Sequence, residues 1–461
     1  MSLNVAANVA RQSLIVAQQQ IALSGRNVAA ASDPTRSRAV GLNTTTLDGG
    51  VHLSAVRRAE NTVLYTRMIE ATSKTAQQNA MIAHLTVLSD TVGDPEDGVS
   101  PAALIGDLQT ALAEYANAPD DPLFGQTTVE RARDLADALN RTNNELNLLR
   151  ENADRAMSDA VDEVNRLLGE FDRANTKIMH AYASGADPTI WEDERDGIVA
   201  EMSQYLGVTV LQRDKGEMAL FTDGGVTLFD RSARAVTFQP TSVYTPSTIG
   251  GVVYVDGLAI TGDTAPMPSR SGSILGHATV RDEIAPTYQL QINEMARVLT
   301  EVFEDGTGSL FVNGGPPDYA GTIAVAPDVD PTQGGSVENL RDGTGNPTGL
   351  AAYADRLMQL GEDLTAIQTF DPTAELIATG TLQNFATGSI GWIEGLRADT
   401  SRQVDIERAI LLRASDALAS ETGVNLDDEY ANQLLIERHF AASSSLFNII
   451  DEMFQTLLGI A

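Results

Sequence analysis

The chain has 461 residues, 43% of them apolar and 5% aromatic, enough for more core than one compact domain usually holds, which predicts two or three domains. Its net charge of −32, from 63 acidic against 31 basic side chains, repels a phosphate backbone and excludes nucleic acid as a partner. The absence of cysteine rules out a disulfide framework, a thiol nucleophile and a thiolate zinc site, and no run of about 18 apolar residues offers a membrane insertion.

Residues 1–60 hold six arginines against Asp33, Asp48 and Glu60, a balance of +3, which leaves −35 for the rest and marks the N-terminal segment as a unit of its own. Met1 to Ala30 lacks the basic, apolar, small-residue order of a cleaved signal peptide. Small and apolar side chains fall at Leu3, Ala7, Ala10, Leu14, Ala17, Ile21, Ser24 and Val28, the alternation of four and three that makes a coiled-coil seam. So many of them are alanine that a lone helix buries too little to offset its ordering entropy; the segment is expected to be disordered in the monomer and to order against partners. It ends at Ser32, Asp33 and Pro34.

A second helix is expected over 59–90, then the breaker Gly93, Asp94, Pro95, a short helix from Pro101 to Ala118, and a loop at Asp120, Asp121 and Pro122. From Gln126 to Ala183 there is no proline, and Leu135, Leu139, Thr142, Leu146, Leu149, Ala153, Ala156, Ala160, Val164, Leu167, Phe171, Ala174 and Ile178 share one face. The spacing predicts one helix roughly 80 Å long and an elongated molecule. After Leu206 the period becomes alternating, with Val208 and Val210, the turn Asp214, Lys215, Gly216, then Met218 and Leu220, and Asp223, Gly224, Gly225 before Val226; these read as hairpins that open a small β module.

Helix returns over Pro286–Phe303, residues 305–349 are rich in glycine, proline and aspartate, and a strong helix runs from Ser389 to Glu421 before Gly423. Asn425 is placed to cap a last helix that opens on Asp427, Asp428 and Glu429 and carries a seam at Leu446, Ile450, Met453 and Leu457. The expected fold is mainly α with a β insertion, elongated, with the N- and C-terminal coiled-coil helices together at one end. Its domains are a terminal coiled-coil domain of 1–58 plus 418–461, a long-helix bundle domain of 59–205 plus 286–417, and a small central β-rich outer domain of 206–285.

Reactive constellations are missing. His52, His84, His180, His277 and His439 are scattered in sequence and none forms a ligand pair at helical spacing. Asp305, Gly306, Thr307, Gly308 and Asp342, Gly343, Thr344, Gly345, with Asp328 and Asp330 between them, offer oxygens to calcium but lack the loop spacing of a site and read as turns. No Gly-x-Ser-x-Gly elbow is present. Trp191 and Trp392 read as core or interface anchors. No catalytic, cofactor-binding or metal residue is expected, and the protein is read as not an enzyme.

The segment Asn27, Val28, Ala29, Ala30, Ala31, Ser32, Asp33, Pro34, Thr35, Arg36, Ser37, Arg38 resembles the Asn-Ile-Ala-Asn-x-x-Thr-Pro-Gly-Tyr-like motif of the flagellar axial proteins, matching at Asn27, Ala29, Pro34, Ser37 and Arg38. Gly423 to Asp427, Glu429, Ala431, Asn432, Leu434 and Asp451, Glu452, Met453, Phe454, Leu457, Leu458 are similar to the hook-associated protein 1 family within that group. So are Asp193, Arg195, Asp196, Leu206, Gly207, Val208 and Gly272, Leu275, Gly276, Arg281, Asp282, Pro286. Glu437, Arg438 and His439 depart from that pattern.

The resemblance implies a structural subunit of the bacterial flagellum at the hook-filament junction, outside the cell, exported by the flagellar type III route and assembled as a ring-forming homo-oligomer. Implied partners are hook protein, hook-associated protein 3 and an export chaperone at the C-terminal helix. The expected assembly interface comprises Leu3, Ala7, Ala10, Leu14, Ala17, Ile21, Asn27 and Val28 with Leu434, Leu446, Ile450, Met453, Phe454 and Leu457. The alternatives are a hook or distal rod protein of the same axial group, or a surface adhesin or cell-wall hydrolase carried on an axial scaffold.

Overall fold

In the computed structural model the described residues are 3–33, 35–47, 49–93, 98–304 and 308–460. Helix α1 (Leu3–Ala30) is followed by a hairpin of β1 (Ala39–Thr45) and β2 (Val51–Arg58), then by α2 (Thr62–Val92), α3 (Pro101–Asn117), α4 (Pro122–Ser184) and α5 (Thr189–Tyr205). Strands β3 (Val208–Gln212), β4 (Met218–Thr222) and β5 (Thr227–Phe229) form one antiparallel sheet, and the two-residue strands β6 (Val236–Thr237), β7 (Tyr254–Val255) and β8 (Leu258–Ala259) form another. The chain returns through α6 (Ser273–Thr279), a π turn (Val280–Ile284) and α7 (Ala285–Val302). A region of short pieces holds β9 (Phe311–Val312), α8 (Tyr319–Thr322), β10 (Ala324–Val325), α9 (Val337–Asp342), α10 (Asp355–Thr365), β11 (Gln368–Thr369) and β12 (Thr379–Gly380); α11 (Leu382–Thr422) and α12 (Leu426–Ile460) close the chain.

The axis of the molecule is α4, 63 residues and so about 95 Å long. The Asp121 carboxylate accepts from Leu123 N at its start, with Pro122 in the first turn, and Gly185 at φ 71° ends it in the left-handed region that a glycine adopts without Cβ strain. All thirteen positions of the expected seam are buried except Ala156, which is half-buried. Two cores are strung along this helix. Leu135, Leu139, Leu146 and Leu149 pack with α3, α7, α10 and the start of α11, while Met157, Val164, Leu167 and Phe171 pack with α5, α6 and the two three-stranded sheets. Helix α2 runs antiparallel beside α11, the Ser89 hydroxyl reaching the Glu394 carboxylate.

The fold class is mainly α with β insertions, and α1 does lie against α12. Three local expectations need correction. The interval 206–285 is β only in its first part, since from Ser273 onward it is helical and packs on α2 and α4. The β1–β2 hairpin lies inside a segment expected to be coiled coil alone; most of its side chains are exposed or half-buried, so burial imposes no strong alternation on its sequence. Helix α5 has no counterpart among the expected elements. The expected breakers at Pro34 and at Asp94–Pro95, and the turn Asp305–Thr307, lie outside the described residues.

Candidate assembly interface

Where α1 ends, polar side chains replace the apolar seam and hold the terminal helices to the body. The buried Asn27 amide donates to Ala39 O at 2.9 Å and to Glu429 Oε1 at 3.0 Å, while Asn27 Oδ1 accepts from Ala39 N at 3.0 Å. The Ser24 hydroxyl donates to Glu429 Oε2 at 2.8 Å. One asparagine and one glutamate thus tie α1, β1 and α12 into a single knot, and burial of all these groups makes each lost partner costly. Arg38 N donates to Thr422 O at 2.8 Å, which fixes the linker to the end of α11.

Against α5, Arg58 at the end of β2 lies 3.5 Å from Glu192, 3.2 Å from Asp193 and 2.6 Å from Asp196. Asp193 Oδ2 also accepts from Ser37 N at 3.2 Å, and Arg26 pairs with Asp187 at 2.6 Å. Burial raises the Glu192 and Asp193 carboxyls above the ordinary range although Arg58 opposes it. Burial and the Glu192 carboxylate push the Tyr182 hydroxyl up to about 12. Beside this clamp a cavity of about 600 Å³ opens between linker, α2, α5 and α11, lined by Ser37, Tyr65, Asp196, Leu418 and Val424 among others. Asp193 and Asp196, which the sequence singles out only by resemblance, are therefore the receiving side of the joint.

Of the expected interface residues, Ala10, Ala17 and Asn27 are buried and Leu3, Ala7, Leu14, Ile21 and Val28 half-buried. The seam expected on α12 is only partly the one that faces α1. Glu429, Gln433, Ile436, Phe440, Ser443, Ile450 and Phe454 turn inward, whereas Leu434, Leu446, Met453 and Leu457 are about half exposed. Leu435, Leu446, Ile449, Met453 and Leu457 instead form a second apolar stripe on the outer side of the helix. The four-three spacing is real on both faces, and helical periodicity by itself does not say which face meets the neighbour in the same chain. The Asn425 cap is present, Oδ1 accepting from Asp427 N at 3.0 Å.

Elsewhere the polar candidates are absorbed by local structure. Asp328 accepts from Gly308 N, Asp330 caps the turn at Thr332 and pairs with Arg133, and Asp342 pairs with Arg341. Among the described residues no group of three or more histidine, aspartate or glutamate side chains could hold a metal ion, and no helix is long and apolar enough to cross a membrane. Trp392 stacks on Tyr288 and Trp191 lies under the Lys177 ammonium, so both are packing residues. His84 and His277, far apart in sequence, are brought together with His84 Nε2 3.0 Å from His277 Nδ1. Burial holds both imidazoles below the usual range, His277 down to about 4 with His84 adding to the effect.

Residues 85–308 match the family model described as the flagellar hook-associated protein FlgK helical domain, the stretch from the end of α2 through α7. The chain is 24% identical over 257 residues to flagellar hook-associated protein 1 of Escherichia coli (strain K12), covering 55% of this chain and 46% of that one. It is 21% identical over 395 residues to flagellar hook-associated protein 1 of Bacillus subtilis (strain 168), covering 77% and 75%. The chain thus spans about half the length of the enterobacterial relatives it matches. A solved structure, that of the flagellar hook junction protein FlgK from Burkholderia pseudomallei, aligns with a TM-score of 0.46 at 23% identity over 55% of this chain and 47% of that one.

Proposed function

We propose, on the premise that the chain is a FlgK-family protein, that it is a structural axial subunit of the bacterial flagellum that forms the junction between hook and filament. The observation that carries this reading is the second apolar stripe of α12. After α1 has taken one face, Leu446, Ile449, Met453 and Leu457 remain exposed on a helix that is not long and apolar enough to cross a membrane and that packs mainly on α1 among the described residues. Contiguous exposed apolar surface of this kind is removed from water by association. Subunits close side by side into a ring through these terminal helices, and the knot at Asn27 and the clamp at Arg58 set the direction in which the rigid body leaves the ring.

In this reading the protein works by association, not turnover, outside the cell after type III export. Hook protein lies below it, hook-associated protein 3 above it, and a chaperone covers the C-terminal helix before secretion. The test is electron microscopy of cells lacking the gene together with an assay of flagellin in the medium. Bare hooks with shed flagellin are expected; absent hooks would move the assignment to hook or distal rod, and intact filaments would overturn it.

A further inference from the structure

We propose that His84 and His277 form a two-histidine site for a divalent first-row transition-metal ion, copper(II) above all, that pins α6 to α2. Three observations carry it. The two ring nitrogens stand 3.0 Å apart on helices separated by 193 positions in sequence. Two imidazole nitrogens each about 2.0–2.1 Å from one ion lie about 2.9 Å apart at a right angle and about 3.3 Å apart at a tetrahedral one, so the pair already has the bite of a chelate. The tetragonal end of that range, and the order of affinities of nitrogen ligands for these ions, both favour copper(II).

The second observation is that the crossing bearing the two rings is rigid. Gly276, the neighbour of His277, lies so close to α2 that a Cβ there would be 2.5 Å from Gln77 O and 2.9 Å from Ala80 Cβ. One turn earlier, Gly272 N donates to Ser73 O at 3.0 Å and Ser271 Oγ to Ser73 Oγ at 2.9 Å. The helices are therefore held in register by contacts that do not involve the histidines, and an ion would meet ligands already in place. Third, both residues are half-buried, so the pair is not sealed from solvent.

In the free protein one of these two nitrogens donates its proton to the other. On binding, that ring moves its proton to its second nitrogen, leaving both facing lone pairs for the ion, with no net change in charge on the protein.

The test is titration of the full chain with copper(II) chloride in a non-chelating buffer, read by electron paramagnetic resonance and by thermal unfolding. One tight ion per chain, an echo-modulation signal of two coordinated imidazoles and a rise in Tm with copper are expected, since an ion that binds only the folded state stabilises it by mass action. His84→Gln and His277→Gln should each lose that ion and the Tm shift, while His52→Gln keeps both. Retention of the ion in either pair variant would overturn the proposal, as would one imidazole or none in the spectrum of the unmodified chain, a readout that does not depend on any variant folding.

Discussion

The most demanding residues in the chain are the charged ones it buries. Arg281 and Asp154 are each 1% exposed and meet at 2.5 Å. Arg281 also donates to Asp282 and to Gly251 O, while Asp154 accepts from Tyr244 Oη at 2.7 Å and Thr241 N at 2.6 Å. Arg150 donates to Arg281 O, Thr245 O and Thr248 O, so two guanidinium groups fasten the loop before β7 onto α4. Asp154→Ala leaves Arg281 with Asp282 as its one remaining carboxylate and removes the acceptor of Tyr244 Oη and Thr241 N, and should cost about 3 kcal/mol in denaturant unfolding; a loss below about 1 kcal/mol would mean the pair is not coupled. Asp330 makes the pH-dependent contribution. Burial alone would raise its carboxyl, but hydrogen bonds from Thr332, Gln333 and Arg133 outweigh it and lower the pKa from 3.8 to about 2. A folded-state value below the unfolded one gives stability that is complete above about pH 4 and lost as pH falls toward 2. Asp330→Asn should therefore lower the urea midpoint at pH 7 and flatten its fall between pH 4 and pH 2.

Elements differ in how far their sequence commits them. Helix α4 buries one continuous stripe against two cores, so its period is uniform and its being one unbroken helix was legible, although at about 95 Å it outruns the roughly 80 Å expected. Helix α12 has two stripes, and only packing against α1 tells them apart. Leu446→Asp with Met453→Asp changes side chains about half exposed in the subunit, so monomer melting should shift little while ring formation is lost. Ile450→Asp, at a position 5% exposed on α12, and Leu14→Asp, at a half-buried position on α1, should each loosen the α1–α12 contact itself, seen as faster amide exchange in both helices. Assembly of the double variant at the normal level would remove the outer stripe from the interface.

At the scale of the whole molecule, burial is graded from body to ends. The body holds nearly all of the two cores, whereas among the described residues α12 contributes only Ile436 and Ile450 as buried apolar side chains. Terminal helices with so little buried area open at low cost. We expect amide exchange of the isolated chain to be fast over residues 3–30 and 426–460 and slow along α4, and the terminal helices to become protected only on assembly. Uniform protection would mean that the coil is stable before any partner arrives. The positive balance of residues 1–60 also takes a location: Arg26 and Arg58 spend their charge on Asp187 and on the acidic face of α5.

Local signals carried the sequence a long way. Proline, glycine and capping residues delimited α2, α3 and α4, and two heptad stripes announced that the chain's ends pair. These features are legible because each is decided within a few residues, by backbone sterics or by the repeat of one helix face. The hairpin after α1, the three-carboxylate grip on Arg58, the meeting of His84 with His277 and the choice between the two faces of α12 were not. Each joins positions from six to more than four hundred residues apart, through pairings that leave no periodic trace in the chain. Composition and periodicity determined that this protein is mainly helical, with one very long helix and amphipathic terminal helices; only the tertiary structure decided which apolar face of α12 packs within the chain and which stays exposed, because that choice rests on packing between distant segments.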